Sequence, residues 1–201
     1  MNIAVFVSGN GTNLQALIDA EKKGGLDDGR IRVVVSDKPE AFALKRAEKA
    51  GIKTFILEAK GFSSREEYDK KIVTRLEEEE VGLIVLAGYM RLLSPFFVKK
   101  YEGRILNVHP AILPSFKGTH GIRDAFECGV KTTGVTVHFV NEELDAGPVI
   151  LQEAVPVKED DTLESLEERI HAVEHRLYPE AVRLFVQGKL RIEGRRVRIN
   201  S

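Results

Sequence analysis

An asparagine and a histidine stand two residues apart at the end of an apolar run, Arg104-Ile105-Leu106-Asn107-Val108-His109-Pro110. Ile105, Leu106 and Val108 favour a strand, and Pro110, which has no N–H to donate, stops it. Side chains alternate along a strand, so Asn107 and His109 project from one face at its carboxyl end. In an open parallel sheet that edge is where ligands bind. An amide able to donate to a developing oxyanion, beside an imidazole able to carry a proton, is equipment for acyl transfer. The same two residues could instead only hold loop backbone at a strand end. The rest of the chain has to decide between these readings.

Two further loops bring relevant residue types to the same edge. The first strand, Asn2 to Ser8, runs into Gly9-Asn10-Gly11-Thr12-Asn13 and then a helix from about Leu14 to Lys22. Glycines let backbone approach a ligand closely, and a helix start offers free N–H groups to an anion. Leu14 takes the place of the third glycine in a dinucleotide fingerprint, and no G-K-[ST] follows, so a phosphate monoester is the better ligand. A plain turn capped by Asn or Thr is the alternative. Later, Asn141-Glu142-Glu143-Leu144-Asp145-Ala146-Gly147-Pro148 supplies acids after a strand. A carboxylate beside an imidazole favours its charged form and fixes the ring. Cys128 and the serines have no evident activating partner, so no protein nucleophile is expected. His109, His120 and His138 could bind zinc in principle, but their spacing matches no ligand motif. His138 alternates with Val137 and Phe139, facing either the site or a covering helix. His171 and His175 lie one helical turn apart, flanking Glu174.

The elements that must position these residues alternate between strand and helix. Strands are expected at Ile31–Ser36, Ile52–Leu57, Val81–Ala87, Gly134–Val140 and Val149–Val157. Val81–Ala87 is almost uniformly apolar, as in a central parallel strand covered on both faces. Helices are expected near 41–50, from Ser63 onward with Ser63 and Glu66 as a capping box, at 95–100, 122–128 and 163–187, the last kinked or divided by Pro179. Glu77 to Glu80 reads as a solvated acidic run. The segment after Pro110, to about Gly121, has Pro and Gly at intervals and reads as a mobile loop. Residues 189–199 read as a small basic hairpin. The pattern predicts an α/β, doubly wound, mostly parallel seven-stranded sheet with helices on both faces and an antiparallel C-terminal part.

Length and charge narrow the class. At 201 residues, with a formal net charge of −1, the chain suits one domain and offers no broad basic field for nucleic acid. Its halves would be 1–100 for phosphate binding and 101–187 for catalysis, with 188–201 as the hairpin. One cysteine excludes an internal disulfide. No run is long and apolar enough to cross a membrane, and the N-terminus reads as a strand, not a signal peptide. The expectation is a cytoplasmic protein, monomeric or homodimeric, with small-molecule partners only.

Four segments carry a resemblance: Ser8-Gly9-Asn10-Gly11-Thr12-Asn13-Leu14-Gln15, Ala87-Gly88-Tyr89-Met90-Arg91-Leu92-Leu93, Asn107-Val108-His109-Pro110-Ala111-Ile112-Leu113-Pro114 and Leu144-Asp145-Ala146-Gly147-Pro148-Val149-Ile150. In this order they resemble the phosphoribosylglycinamide formyltransferases, folate-dependent enzymes of purine synthesis. The likeness extends from residue 1 to about 187. It implies the formyltransferase fold and formyl transfer from 10-formyltetrahydrofolate to glycinamide ribonucleotide, with no metal. By position it implies Asn107, His109 and Asp145 as catalytic residues. It implies Gly11, Thr12, Asn13, His171 and Glu174 as contacts to the ribonucleotide. It implies Arg65, Met90, Arg91, Leu92, Leu93, Asn107, Asn141, Glu142, Glu143, Leu144 and Asp145 as contacts to the folate. Relatives often carry Gln or Lys where His171 stands, and some carry two histidines where only His120 is found.

Other readings remain. Methionyl-tRNA formyltransferase would be expected to continue into a basic C-terminal domain, and formyltetrahydrofolate hydrolase to begin with a regulatory one. A flavodoxin-like module that only binds a phosphate ligand would not need Asn107, His109 and Asp145 together. A dehydrogenase is disfavoured by Leu14.

Overall fold

The computed structural model describes residues 1–200. In chain order the elements are β1 (Asn2–Val7), α1 (Thr12–Lys22), β2 (Arg30–Ser36), α2 (Phe42–Lys49), β3 (Lys53–Ile56), α3 (Arg65–Glu78), β4 (Val81–Leu86), α4 (Pro95–Lys100) and β5 (Ile105–His109). They continue as α5 (Gly121–Glu127), β6 (Thr132–Phe139), β7 (Val149–Pro156), α6 (Leu163–Val186), β8 (Leu190–Glu193) and β9 (Arg196–Ile199). The strands form one sheet in the order β3-β2-β1-β4-β5-β6-β7-β9-β8. From β3 to β5 neighbouring strands are parallel, and β6 and β7 continue antiparallel.

The α/β, mostly parallel architecture is as the pattern predicts, but the sheet has nine strands rather than seven. The two extra strands are the terminal hairpin, which joins the edge through Val149 opposite Arg196. So short a contact leaves no periodic signal in sequence.

Both faces of the sheet are covered, and β1 shows how. Ile3, Val5 and Val7 pack with Leu14, Leu17, Leu177 and Ala181 on the side of α1 and α6. Ala4 and Phe6 pack with Tyr68, Ile72, Leu76 and Phe97 on the side of α3 and α4. The two-residue strand period splits one apolar run between two cores. On the first side, the buried Tyr178 hydroxyl lies 2.9 Å from the carbonyl oxygens of both Leu86 and Leu106. It ties α6 to the carboxyl end of β4 and to the first half of β5, the strand that carries Asn107 and His109.

Local details depart from the sequence reading. α3 is capped by Ser64, whose hydroxyl accepts the Glu67 N–H. The Glu67 carboxylate reaches back past Ser64 to the Ser63 N–H and Oγ, so Ser64 and Glu67 close this helix start rather than a Ser63–Glu66 capping box. Two adjacent serines make that register ambiguous from sequence. Glu79, inside the acidic run, is buried and ion-paired to Lys53 and Arg75. α6 runs unbroken through Pro179. Cys128 is an exposed free thiol at the end of α5.

Candidate active site

β5 ends with Asn107 and His109, and its antiparallel neighbour β6 sets His138 directly opposite Asn107 and Thr136 opposite His109. Opposed residues in such a pair share a face, so the four side chains form one polar patch. The loop between β6 and β7 adds Asp145, at a left-handed φ of 48°. Asp tolerates that conformation better than most residues. The same loop must pass close to β6 at Gly147. A Cβ there would sit 1.7 Å from the Phe139 carbonyl oxygen, so only glycine fits.

His109, His138 and Asp145 are all buried. His109 Nδ1 lies 3.6 Å from Asp145 Oδ2, and His138 Nε2 lies 3.7 Å from Asp145 Oδ1. The Asn107 amide Nδ2 is 3.2 Å from His138 Nε2. The loop after Pro110 closes over this group. His109 Nε2 donates to the Phe116 carbonyl at 2.7 Å, and the Gly118 N–H donates to Asp145 Oδ2 at 2.8 Å. With Nε2–H committed, His109 turns Nδ1 toward the carboxylate, an attractive arrangement for the imidazolium. Thr136 secures the loop's base. Its hydroxyl donates to the Ala111 carbonyl and accepts from Leu113 N–H and Gln152 Nε2–H.

The glycine turn after β1 keeps its helix start free. Gly11 is the cap residue of α1 at φ 77°, and no side chain caps the helix, contrary to the plain Asn or Thr cap that sequence allowed. A Cβ on Gly11 would lie 2.5 Å from the Ala43 Cβ, so α2 holds the turn against the helix. The first-turn N–H groups, at the positive end of the helix dipole, are thus left without a side-chain acceptor. Asn13 Nδ2 donates to Glu174 Oε2 at 3.1 Å, and His171 Nδ1 lies 2.9 Å from the same oxygen. The bond to the Glu174 carboxylate raises the His171 pKa against the opposing effect of burial. Turn and α6 therefore meet in one polar group. A cleft of about 540 Å³ lined by Thr12, Gln15, Arg46 and His175 lies nearby, but it includes none of Asn107, His109 or Asp145.

The β4–α4 loop supplies an apolar rim. Met90, Leu92 and, in the β6–β7 loop, Leu144 are more than half exposed. The Met90 N–H donates to Ser8 Oγ at 2.9 Å, and that hydroxyl donates to Asp37. At the loop's other end, the Ser94 N–H donates to the buried Asp69 carboxylate at 2.6 Å. Burial raises the Asp69 pKa, while the bond from Ser94 and the nearby Arg91 and Arg65 charges oppose that rise. The Arg91 guanidinium stacks 4.5 Å over Tyr68. Arg65 opens α3 one turn before Asp69, so the two cations predicted to bind ligand share one anionic neighbour. Glu142 and Glu143 are exposed, and among the described residues no side-chain hydrogen bond or ion pair ties them to the catalytic group.

The profile described as "Formyl transferase" matches residues 1–182. The chain belongs to the formyl transferase family. It is 47% identical over 192 residues to a phosphoribosylglycinamide formyltransferase of Escherichia coli, covering 96% of this chain and 90% of the relative. It is 50% identical to the trifunctional purine biosynthetic protein adenosine-3 of Gallus gallus, again over 96% of this chain but only 19% of that longer protein. Among solved structures, glycinamide ribonucleotide transformylase 1 from Symbiobacterium toebii superposes with a TM-score of 0.97 at 49% identity. That match covers 100% of this chain and 94% of the other.

For this formyl transferase, sequence reasoning brought Asn107, His109 and Asp145 to one sheet edge, and the structure gathers them within one polar cluster. It left the side of His138 open, and it did not find Thr136, Asp69 or Tyr178. His138 and Thr136 carried one available signal, two polar residues spaced by two in an apolar strand. Asp69 and Tyr178 lie on helix faces that read as core and carry none.

Proposed function

We propose that this formyl transferase moves the formyl group of 10-formyltetrahydrofolate to the amino group of N1-(5-phospho-D-ribosyl)glycinamide in de novo purine biosynthesis, with Asn107, His109 and Asp145 doing the chemistry. The relatives named for that reaction support the activity. The observation that carries the residue roles is the cluster of amide, imidazole and carboxylate, with a carbonyl oxygen already accepting from His109 Nε2.

In this reading the Phe116 carbonyl stands where the formyl oxygen goes, and the loop yields that contact when substrate enters. The glycinamide nitrogen attacks the formyl carbon, a C–N bond forms, and the carbonyl oxygen becomes an oxyanion. Asn107 Nδ2–H and the His109 imidazolium donate to it, at their full strength because the cluster is buried. Asp145 holds the imidazolium by its second nitrogen. The tetrahedral carbon then expels the folate N10. The proton lost from the attacking amine is delivered to that nitrogen, with Asp145 and His109 as the available carriers. The Gly11–Asn13 turn would take the ribonucleotide phosphate, His171 and Glu174 its neighbouring polar groups, and Met90–Leu93 with Asn141–Leu144 the folate. Arg65 and Arg91 would face the folate's acidic tail.

The test is an assay of purified protein with both substrates, following tetrahydrofolate release. Release that requires the ribonucleotide is expected. Its absence, or release with water as the only acceptor, would overturn the assignment.

A further inference from the structure

His138 is among the most buried polar residues of the chain, and the reaction as described gives it no role. Its surroundings leave little freedom. His138 Nδ1 is 2.8 Å from the Phe139 carbonyl oxygen, which can only accept, so Nδ1 carries a proton. If the ring is neutral, Nε2 is then a bare lone pair, and the group aimed at it is the Asn107 Nδ2 at 3.2 Å. That is the only side-chain hydrogen bond of Asn107 among the described residues. The backbone of β5 and β6 enforces the pairing, because the two residues are directly opposed.

We propose that His138 is a positioning residue: a neutral acceptor that fixes which end of the Asn107 amide faces the reacting carbonyl. An amide is nearly symmetric in shape but not in charge. With Nδ2 held by His138 through one hydrogen, the second N–H remains for the oxyanion. A flipped amide would set its oxygen against the Nε2 lone pair and turn that oxygen's negative end toward the developing charge. The charges around His138 bear on whether it stays neutral. Burial, the largest effect, disfavours the charged ring, as do His109 and Lys117, whereas the bond to the Phe139 carbonyl and the Asp145 carboxylate favour it. A charged His138 would donate from Nε2, flip the amide, and compete with His109 for Asp145, whose Oδ1 is 3.7 Å away. The site works because this ring does not charge. The inference rests on the proposed role of Asn107.

Two measurements test it. The first is ¹⁵N NMR of the imidazoles in the full-length wild-type protein. His138 is expected to show a protonated Nδ1 and a bare Nε2 at about pH 6, below the ordinary imidazole value of about 6.5. A doubly protonated ring, or one protonated only at Nε2, would overturn the proposal. The second is a kinetic cycle of Asn107→Ala, His138→Leu and the double variant, with melting temperatures taken alongside. His138→Leu is expected to lower kcat by roughly 10- to 100-fold, the scale of other outer-shell partners, with both KM values little changed. His138→Gln, which retains an acceptor, is expected to recover part of the loss. The double variant is expected to be no slower than Asn107→Ala alone, because His138 acts through that amide. Multiplying losses, or a Gln variant no better than Leu, would overturn the positioning role. An Asn107→Ala enzyme with ordinary turnover would instead sink the catalytic assignment of Asn107 itself.

Discussion

Gly11→Ala is a small change whose consequences the structure makes large. Gly11 has φ 77°, in the region that costs an L residue about 1–2 kcal/mol. The new Cβ would also lie 2.5 Å from the Ala43 Cβ and 2.9 Å from its Cα, both in α2. Forcing a methyl into such a contact typically costs a further ~1–3 kcal/mol. The total of roughly 2–5 kcal/mol is an upper bound, because the turn can relax by moving away from α2. Relaxation has its own cost, since it shifts the Gly11–Asn13 N–H groups proposed to hold the phosphate. A tenfold loss of affinity corresponds to about 1.4 kcal/mol, so even partial conversion of the strain is measurable. Urea unfolding and calorimetric titration with each substrate read the two parts. Lower stability and at least about tenfold weaker ribonucleotide binding are expected, with folate binding little changed. Ala43→Gly in the same background removes the Cβ–Cβ contact and should restore part of the stability in a double-mutant cycle. Unchanged stability and ribonucleotide affinity in Gly11→Ala, or equal weakening of both ligands, would refute the reasoning.

Other consequences follow from single contacts. Asp69→Ala leaves the Ser94 N–H without its acceptor, so stability should fall by about 1–3 kcal/mol and the folate KM should rise more than the ribonucleotide KM; denaturant curves and initial rates check both. Tyr178→Phe removes the one hydroxyl shared by the Leu86 and Leu106 carbonyls, and a loss of about 1–3 kcal/mol is expected by urea unfolding with the fold retained. The raised His171 pKa means that its pair with Glu174 stabilises the fold fully below the ordinary imidazole pKa and is lost as pH rises through the elevated value. An NMR titration should show His171 moving back down in Glu174→Gln, and a midpoint that does not move would remove Glu174 as the cause.

How much of this was legible in the chain follows from what is local. The parity of Asn107 and His109 is a property of one strand, and the glycine turn before α1 is a property of one segment. Both can be read residue by residue. The partner of Asn107 is not local. That His138 stands opposite depends on the register of β6 against β5, set by a connection that runs through the 110–121 loop and α5. Burial of Glu79, at the end of α3 among like charges, depends in the same way on Lys53 from β3. The cap at Ser64 is not legible because two adjacent serines offer nearly equal caps, and the structure settles on the one whose hydroxyl accepts the Glu67 N–H. The loop after Pro110 reads as mobile from its Pro and Gly content, yet here it closes on His109 and Asp145 through Phe116 and Gly118.

The central claim is that Asn107, His109 and Asp145 act on the formyl carbon, and turnover at saturating substrate in Asn107→Ala, His109→Ala and Asp145→Ala tests it most directly. The account predicts that each loses roughly 10²- to 10³-fold or more in kcat with the fold retained, as when a preorganised oxyanion donor is removed. Asp145→Ala, which puts Ala at a left-handed φ and leaves the Gly118 N–H without its acceptor, is also expected to melt lower. Near-parental turnover in all three folded variants would contradict it.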